Sequence, residues 1–169
     1  MRAVHDPDGV ESASPPTPGL GLLPVETVFA REKTSVRVRA RVAVAPGPFA
    51  AAAGSDVAAY EIHAGLTRSV GTVPRLFTVV ERGGAPADDA DGAVSARGNV
   101  AGTYFHGLFA NDALRGALLR HLAALKGEAP DPRWGTAPGD RWGRLADVVG
   151  AALDLPAVAK LAGLAFPRA

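Results

Sequence analysis

The chain has 169 residues, of which 47% are hydrophobic and 21% charged, and its formal net charge at pH 7 is +1. This length suffices for one domain with a sizeable core, and the composition is typical of a globular rather than a disordered protein. The near-zero net charge gives no electrostatic basis for binding nucleic acid or an acidic membrane surface. The sequence contains no cysteine, which excludes disulfides, thiolate metal sites and a cysteine nucleophile on this chain.

Residues 1–19 are predicted to form an irregular start. Residues 6–9 have the sequence Asp-Pro-Asp-Gly, which favours a turn, and three prolines lie within residues 12–19. This segment has no apolar core of the kind found in signal peptides. No apolar run approaches the ~18 residues of a membrane-spanning helix, so we expect a cytoplasmic protein.

Residues 20–110 are predicted to be rich in strands. Residues 20–29 form a short apolar run, and valine and alanine then alternate with arginine over residues 36–44. This period of two predicts a strand with one buried and one solvated face, suited to an antiparallel or edge position. The arginines of this strand are Arg37, Arg39 and Arg41. We interpret them as a solvated face that also discourages edge pairing, rather than as an anion-binding patch.

Three further strands are predicted at residues 57–62, 73–80 and 99–105. Between the last two, residues 82–98 are polar and rich in glycine, alanine and aspartate, and are interpreted as a loop or hairpin tip. Asp88, Asp89 and Asp91 suggest a calcium loop, but the glycine and glutamate of such a loop are missing at the required offsets. We therefore favour a solvated loop here.

Residues 111–169 are predicted to be helical. Asn111 has the chemistry of an N-cap, apolar residues follow at helical spacing, and Gly127 ends the helix. A second amphipathic helix is expected around residues 142–153, and a short third helix after Pro156. Strands followed by helices indicate an α/β domain with a mixed sheet, extending over residues 1–169.

Two of the four histidines, His63 and His106, stand out. Each is expected to follow an apolar strand and each precedes a glycine, and strand ends are where α/β folds place functional groups. A metal site formed by both is an open alternative, although no third ligand has suitable spacing. His5 and His121 are interpreted as an exposed loop residue and a boundary residue of the first helix. No nucleotide-binding glycine motif and no serine nucleophile motif is present.

A set of short motifs extends along the chain from Asp6 to Asp147. In order they are Asp6-Pro7 with Gly9-Val10-Glu11, residues 19–27 (Gly-Leu-Gly-Leu-Leu-Pro-Val-Glu-Thr), Lys33-Thr34, Tyr60-Glu61-Ile62-His63 with Gly65 and Thr67, Asp91-Gly92, Gly102-Thr103-Tyr104 with His106-Gly107-Leu108-Phe109 and Asn111, and Arg144-Leu145-Ala146-Asp147. This ordered set resembles the C-terminal part of the cobyric acid synthase family, and the resemblance covers nearly the whole chain. It implies part of a class I glutamine amidotransferase-like domain of flavodoxin-like fold.

By this resemblance the function is a step of cobalamin biosynthesis, the ATP- and glutamine-dependent amidation of adenosylcobyrinic acid a,c-diamide. Glutamine and a corrinoid are then the expected partners. ATP and magnesium are expected to bind an N-terminal synthetase domain, and no cofactor or metal is expected on this chain. The resemblance implies His106 as the catalytic histidine that serves a cysteine nucleophile. Tyr60, Glu61 and His63 match motif positions and are candidate functional residues without an assigned role.

In the family, the cysteine comes just before the segment that matches residues 2–7. We therefore expect this chain to be a fragment without the synthetase domain, the opening strands and the nucleophile, and to be inactive alone. One alternative is a non-catalytic amidotransferase-like module that a partner chain completes. Another is a piece of the related cobyrinic acid a,c-diamide synthase, although Leu108 and Phe109 after His106 fit cobyric acid synthase better.

Overall fold

The computed structural model describes residues 1–11, 16–43, 46–136 and 139–165. The irregular stretch predicted at residues 12–15 and the predicted strand end at Val44 lie outside the described residues. The chain divides into two compact units, Met1–Thr136 and Ala137–Ala169.

The first unit is built on one sheet of eight strands. In chain order they are β1 Ala3–His5, β2 Thr17–Pro18, β3 Val25–Val42, β4 Asp56–Ser69, β5 Arg75–Arg82, β6 Ala85–Val94, β7 Ala101–Gly102 and β8 Phe105–His106. The long strand β3 is central. Along one edge it pairs antiparallel with β4, and β8 pairs with the far edge of β4. Along its other edge β3 pairs with β1, in the one parallel pairing of the described strands, and then with β5, which leads on to β6 and β7.

The alternating segment forms the half-buried antiparallel strand that the sequence predicts. Val38, Ala40 and Val42 of β3 are buried, and the arginines between them are exposed. The strand is longer than predicted, because β3 already begins at Val25. Residues 25–29 of the apolar run and most of the alternating segment thus share one strand, with a shift of register between Phe29 and Thr34.

The interpretation of residues 82–98 as a loop is wrong. Residues 85–94 form β6, which pairs antiparallel with β5. The hairpin turns at Gly83 and Gly84, whose φ angles are 61° and 84°. Two successive residues of positive φ match the right-handed twist of a tight hairpin and favour glycine. Asp88, Asp89 and Asp91 therefore lie on a strand rather than in a solvated loop.

Three further predictions need correction. Residues 1–19, predicted to be irregular, contain the short strands β1 and β2, and His5 lies in β1 rather than in a loop. The strand predicted at residues 57–62 continues to Ser69 as β4, so His63 lies inside a strand and not at its end. The strand predicted at residues 99–105 is two short strands, β7 and β8, separated by Thr103 and Tyr104.

The helices follow the predictions more closely. Helix α1 is Asp112–Lys126, with Asn111 at the N-cap position and Gly127 in the left-handed conformation at its end. Short 3-10 helices lie at Ala50–Ala52 and Leu108–Ala110. The main core packs α1 and the first 3-10 helix against the sheet. Its residues include Leu76, Phe77, Val79, Val94, Phe105, Leu114 and Ala117.

The second unit contains α2, Arg141–Ala152, and α3, Leu155–Leu161. Asp140 and Asp154 cap them, accepting hydrogen bonds from the backbone N–H groups of Gly143 at 2.6 Å and Ala157 at 3.0 Å. Neither these helices nor α1, the helices of the described part of the chain, has the length and apolar character needed to cross a membrane.

Candidate functional site

A row of three side chains crosses three neighbouring strands. Arg37 of β3 is the register partner of Tyr60 in β4, and Tyr60 is the partner of His106 in β8. Because paired residues project to the same face of a sheet, these side chains share one face. They line an open pocket of about 280 Å³ together with Ala58, Ala59, Gly107 and Ala110.

His106 stands at the end of β8 and is exposed. Gly107, with φ 79°, turns the chain directly into the second 3-10 helix. No described residue makes a hydrogen bond or ion pair with the His106 imidazole. Both ring nitrogens are therefore available to a group that enters the pocket, one as donor and one as acceptor in the neutral ring.

The turn after His106 is anchored to β4 by Asn111. Its side-chain oxygen accepts from the Ala58 N–H at 2.9 Å, and its amide nitrogen donates to the Ala58 carbonyl at 3.0 Å and the Leu108 carbonyl at 2.9 Å. The Asn111 side chain thus makes the two hydrogen bonds to the Ala58 backbone that a neighbouring strand would otherwise make. Asn111 occupies the predicted N-cap position, but its side chain makes no capping hydrogen bond to α1.

His63 belongs to the opposite face of the sheet. Neighbouring residues of a strand alternate between faces, so Glu61 and His63 face away from Tyr60. The His63 ring nitrogens lie 3.0 Å from a Glu61 carboxylate oxygen and 2.6 Å from the Gly65 carbonyl oxygen. The ring also stacks on Tyr104, with 4.2 Å between ring centroids. This imidazole is fully engaged within the protein.

An ion-pair chain extends from His63 through Glu61. The second Glu61 oxygen accepts from Nε of Arg82 at 2.7 Å, and the other end of that guanidinium donates to Asp89 at 2.6 Å and 3.2 Å. Hydrogen bonds to Asp89 and then to Glu61 raise the pKa of Arg82 further above its ordinary value. Hydrogen bonds at both ring nitrogens thus join His63 to Gly65 on one side and, through Glu61, to Arg82 and Asp89 on the other.

A second buried carboxylate, Asp91, holds the two-residue connection between β7 and β8. It accepts a hydrogen bond from the hydroxyl of Thr103, which in turn accepts from the Phe105 N–H at 3.0 Å. Burial raises the pKa of Asp91 above its ordinary value, and the hydrogen bonds from Thr103 and the Tyr104 backbone oppose that rise. This role of Asp91 was not predicted from the sequence, because the residue was placed in a loop.

The structure thus divides the four site residues predicted from sequence. Tyr60 and His106 share the pocket, whereas Glu61 and His63 belong to the buried network on the other face. The two histidines therefore cannot ligate one metal ion. Among the residues that the structure describes, no three histidine, cysteine, aspartate or glutamate side chains are placed to hold a metal.

Comparison with known proteins defines the class. Residues 1–114 match the family described as CobB/CobQ-like glutamine amidotransferase domain. The chain therefore belongs to that family, and its mixed α/β architecture agrees with the fold predicted from sequence.

Cobyric acid synthases are among the relatives within this class, as the sequence motifs predict. The chain is 41% identical to that of Sorangium cellulosum, covering 96% of this chain and 34% of that protein. It is 42% identical to that of Pelotomaculum thermopropionicum, covering 99% and 33%, and 44% identical to that of Roseiflexus castenholzii, covering 76% and 25%. The chain thus spans a quarter to a third of these relatives, in which the domain is part of a longer polypeptide.

Proposed function

We propose that this chain supplies the histidine side of the glutaminase site of a cobyric acid synthase. The observation that carries the proposal is the state of His106: its imidazole lines an open pocket without a hydrogen-bond partner among the described residues. A general base needs such a free nitrogen within reach of the proton that it removes. The similarity to cobyric acid synthases supports the choice of reaction.

The thiolate comes from outside these 169 residues, since the sequence contains no cysteine. A longer form of this polypeptide or a separate partner chain satisfies this requirement equally well. In the proposed reaction His106 removes the thiol proton, and the thiolate attacks the side-chain amide of glutamine. His106 then protonates the departing ammonia and activates the water that hydrolyses the thioester to glutamate.

The ammonia is consumed in a second, ATP-dependent reaction. By the family resemblance it amidates peripheral carboxylates of a corrinoid, adenosylcobyrinic acid a,c-diamide, in the cytoplasm. This chain has no phosphate-binding loop, so ATP and magnesium are assigned to the part of the enzyme outside it. Tyr60 is proposed to form a wall of the glutamine pocket, and Glu61 and His63 to support the sheet beneath it.

The proposal is tested by reconstitution. The chain is co-expressed with a segment of a cobyric acid synthase that carries the nucleophile motif of the family, Cys-Gly-Gly-Tyr-Gln-Met, and glutamate release from glutamine is measured. We expect no release from the chain alone, release from the pair, and a ~10²–10⁴-fold loss of kcat in His106→Ala. His121→Ala, on α1, is the matched control and should retain activity. Turnover that persists in His106→Ala contradicts the proposal.

A further inference from the structure

The three arginines on the exposed face of β3 differ in their partners. Arg39 forms an ion pair with Glu81 at 3.4 Å, and Arg41 forms one with Asp56 at 3.3 Å. Arg37 forms no ion pair with any carboxylate of the described residues. Of the three, only Arg37 lines the pocket that contains His106. The interpretation of this row as a solvated face therefore fits Arg39 and Arg41 better than Arg37.

Tyr60 holds the Arg37 guanidinium in place. Nε of Arg37 donates to the Tyr60 hydroxyl at 3.2 Å, and the guanidinium carbon lies 5.5 Å from the centre of the Tyr60 ring. Stacking and the Nε hydrogen bond reduce the side-chain entropy that a ligand must otherwise remove. The two terminal NH₂ groups have no hydrogen-bond partner among the described residues, and together they match the two oxygens of a carboxylate.

We propose that Arg37 binds the α-carboxylate of the glutamine whose side-chain amide reacts at His106. This inference rests on the function proposed above and assigns the substrate's orientation within the same pocket. β3 and β8 flank β4, which places their backbones roughly 9.5 Å apart, and the Arg37 side chain shortens that span by contacting Tyr60. The carboxylate and amide carbons of an extended glutamine are separated by four bonds, or about 5 Å. The length of one glutamine is therefore comparable to the separation expected between the Arg37 guanidinium and the His106 imidazole.

Arg37 acts in binding rather than in the chemical step. A charge-assisted, two-oxygen contact to the α-carboxylate is formed equally in the bound substrate and in the transition state. Losing such uniform binding raises KM and leaves kcat nearly unchanged. Arg39 is the matched control, because it lies on the same face of the same strand but is already paired with Glu81.

The binding test uses the complete 169-residue chain and nuclear magnetic resonance of arginine side chains and histidine rings. l-Glutamine is compared with 4-aminobutanamide, which keeps the amide and amine but lacks the carboxylate. We expect glutamine to shift the Arg37 Nε and His106 signals, with ~10-fold weaker binding in Arg37→Gln and less than ~2-fold change in Arg39→Gln. 4-Aminobutanamide should bind wild type and Arg37→Gln equally weakly. An Arg37 signal that does not respond to glutamine, or equal affinity for both compounds, overturns the inference.

Kinetic measurements on the reconstituted glutaminase test the role of Arg37 separately from the catalytic role proposed for His106. Arg37→Gln should raise KM for glutamine ~10-fold with kcat within ~3-fold of wild type. If hydrolysis depends on His106 but KM is unchanged in Arg37→Gln, the carboxylate site is refuted and the catalytic proposal stands. If Arg37-dependent binding is found but the reconstituted pair hydrolyses no glutamine, the catalytic proposal fails and the carboxylate site stands.

Discussion

His63 and His106 occupy opposite faces of the same part of the sheet, and their surroundings differ in burial, ring stacking and hydrogen bonding. The His63 ring is mostly buried, stacked on Tyr104 and hydrogen bonded at both nitrogens. The His106 ring is exposed at the edge of a pocket and has no such partner among the described residues. A histidine whose nitrogens are both occupied cannot exchange a proton without breaking the structure around it, whereas a free one can.

The difference shows that the two faces of one strand, β4, have different roles. Glu61 and Tyr60 are adjacent in β4, yet the buried Glu61 carboxylate pairs with Arg82 on one face and Tyr60 lines the pocket on the other. The buried face fixes the strands, and the open face presents the groups that they carry. Four substitutions test this difference between the two faces. Their effects are compared by the free energy of unfolding, measured by urea denaturation with circular dichroism.

The largest loss of stability is expected for His63→Ala. The change removes two hydrogen bonds, one of them to a charged partner, and the stacking on Tyr104, so the free energy of unfolding should fall by about 3 kcal/mol. His63→Phe retains the stacking and should lose less. If His63→Ala is as stable as wild type, His63 does not brace the sheet and the comparison with His106 fails.

A smaller loss, about 1–2 kcal/mol, is expected for Asn111→Ala, because two hydrogen bonds between the His106 turn and β4 and one within the turn disappear. The Ala58 amide should also exchange its hydrogen faster. Asn99→Ala, at an exposed asparagine that accepts one hydrogen bond from Ser95, is the control. Unchanged exchange at Ala58 contradicts the anchoring role.

Asp91→Asn should change how the free energy of unfolding depends on pH more than it changes the size of that free energy. Burial raises the folded-state pKa of Asp91 above 3.8, so the folded state binds this proton more tightly than the unfolded state. The stabilisation that this tighter proton binding adds to the free energy of unfolding is fully present below pH 3.8. It is lost as the pH rises through the raised pKa of Asp91. Relative to wild type, the variant should gain stability from acidic to neutral pH. A difference that is constant with pH contradicts this assignment.

The smallest effect is expected for His106→Ala, within about 0.5 kcal/mol of wild type, because an exposed side chain without partners contributes little to folding. Together with the loss of kcat expected in the reconstituted enzyme, this result separates a catalytic from a structural histidine. A destabilisation comparable to that of His63→Ala would instead place His106 in the framework of the fold.

Local patterns accounted for the elements whose stability is mainly local. The alternation in β3, the apolar spacing of α1 and the glycine that ends it all follow from strand and helix periodicity. The strand β6 was missed because its alanines, aspartates and glycine have low strand propensity, and pairing with β5 imposes the extended conformation. Gly83-Gly84 between the two strands was the available signal for that hairpin.

The candidate site was predicted in part. The motifs singled out Tyr60, Glu61, His63 and His106, and the family they indicate was confirmed by the comparisons. They did not reveal Arg37 as a member of the pocket, because an arginine in an alternating row looks the same whether or not a carboxylate lies beside it. Its distinct position depends on Glu81 and Asp56, which come from other strands and pair with Arg39 and Arg41 instead.

The sequence by itself determined the α/β class, the family, the half-buried alternating strand and the two histidines of interest. Only the tertiary structure decided which histidine is engaged and which is free. The reason is geometric: side chains alternate between the faces of a sheet, so a register shift of one residue exchanges the faces. The register that pairs Tyr60 with His106, and so joins both to Arg37, is set by contacts between segments far apart in the chain.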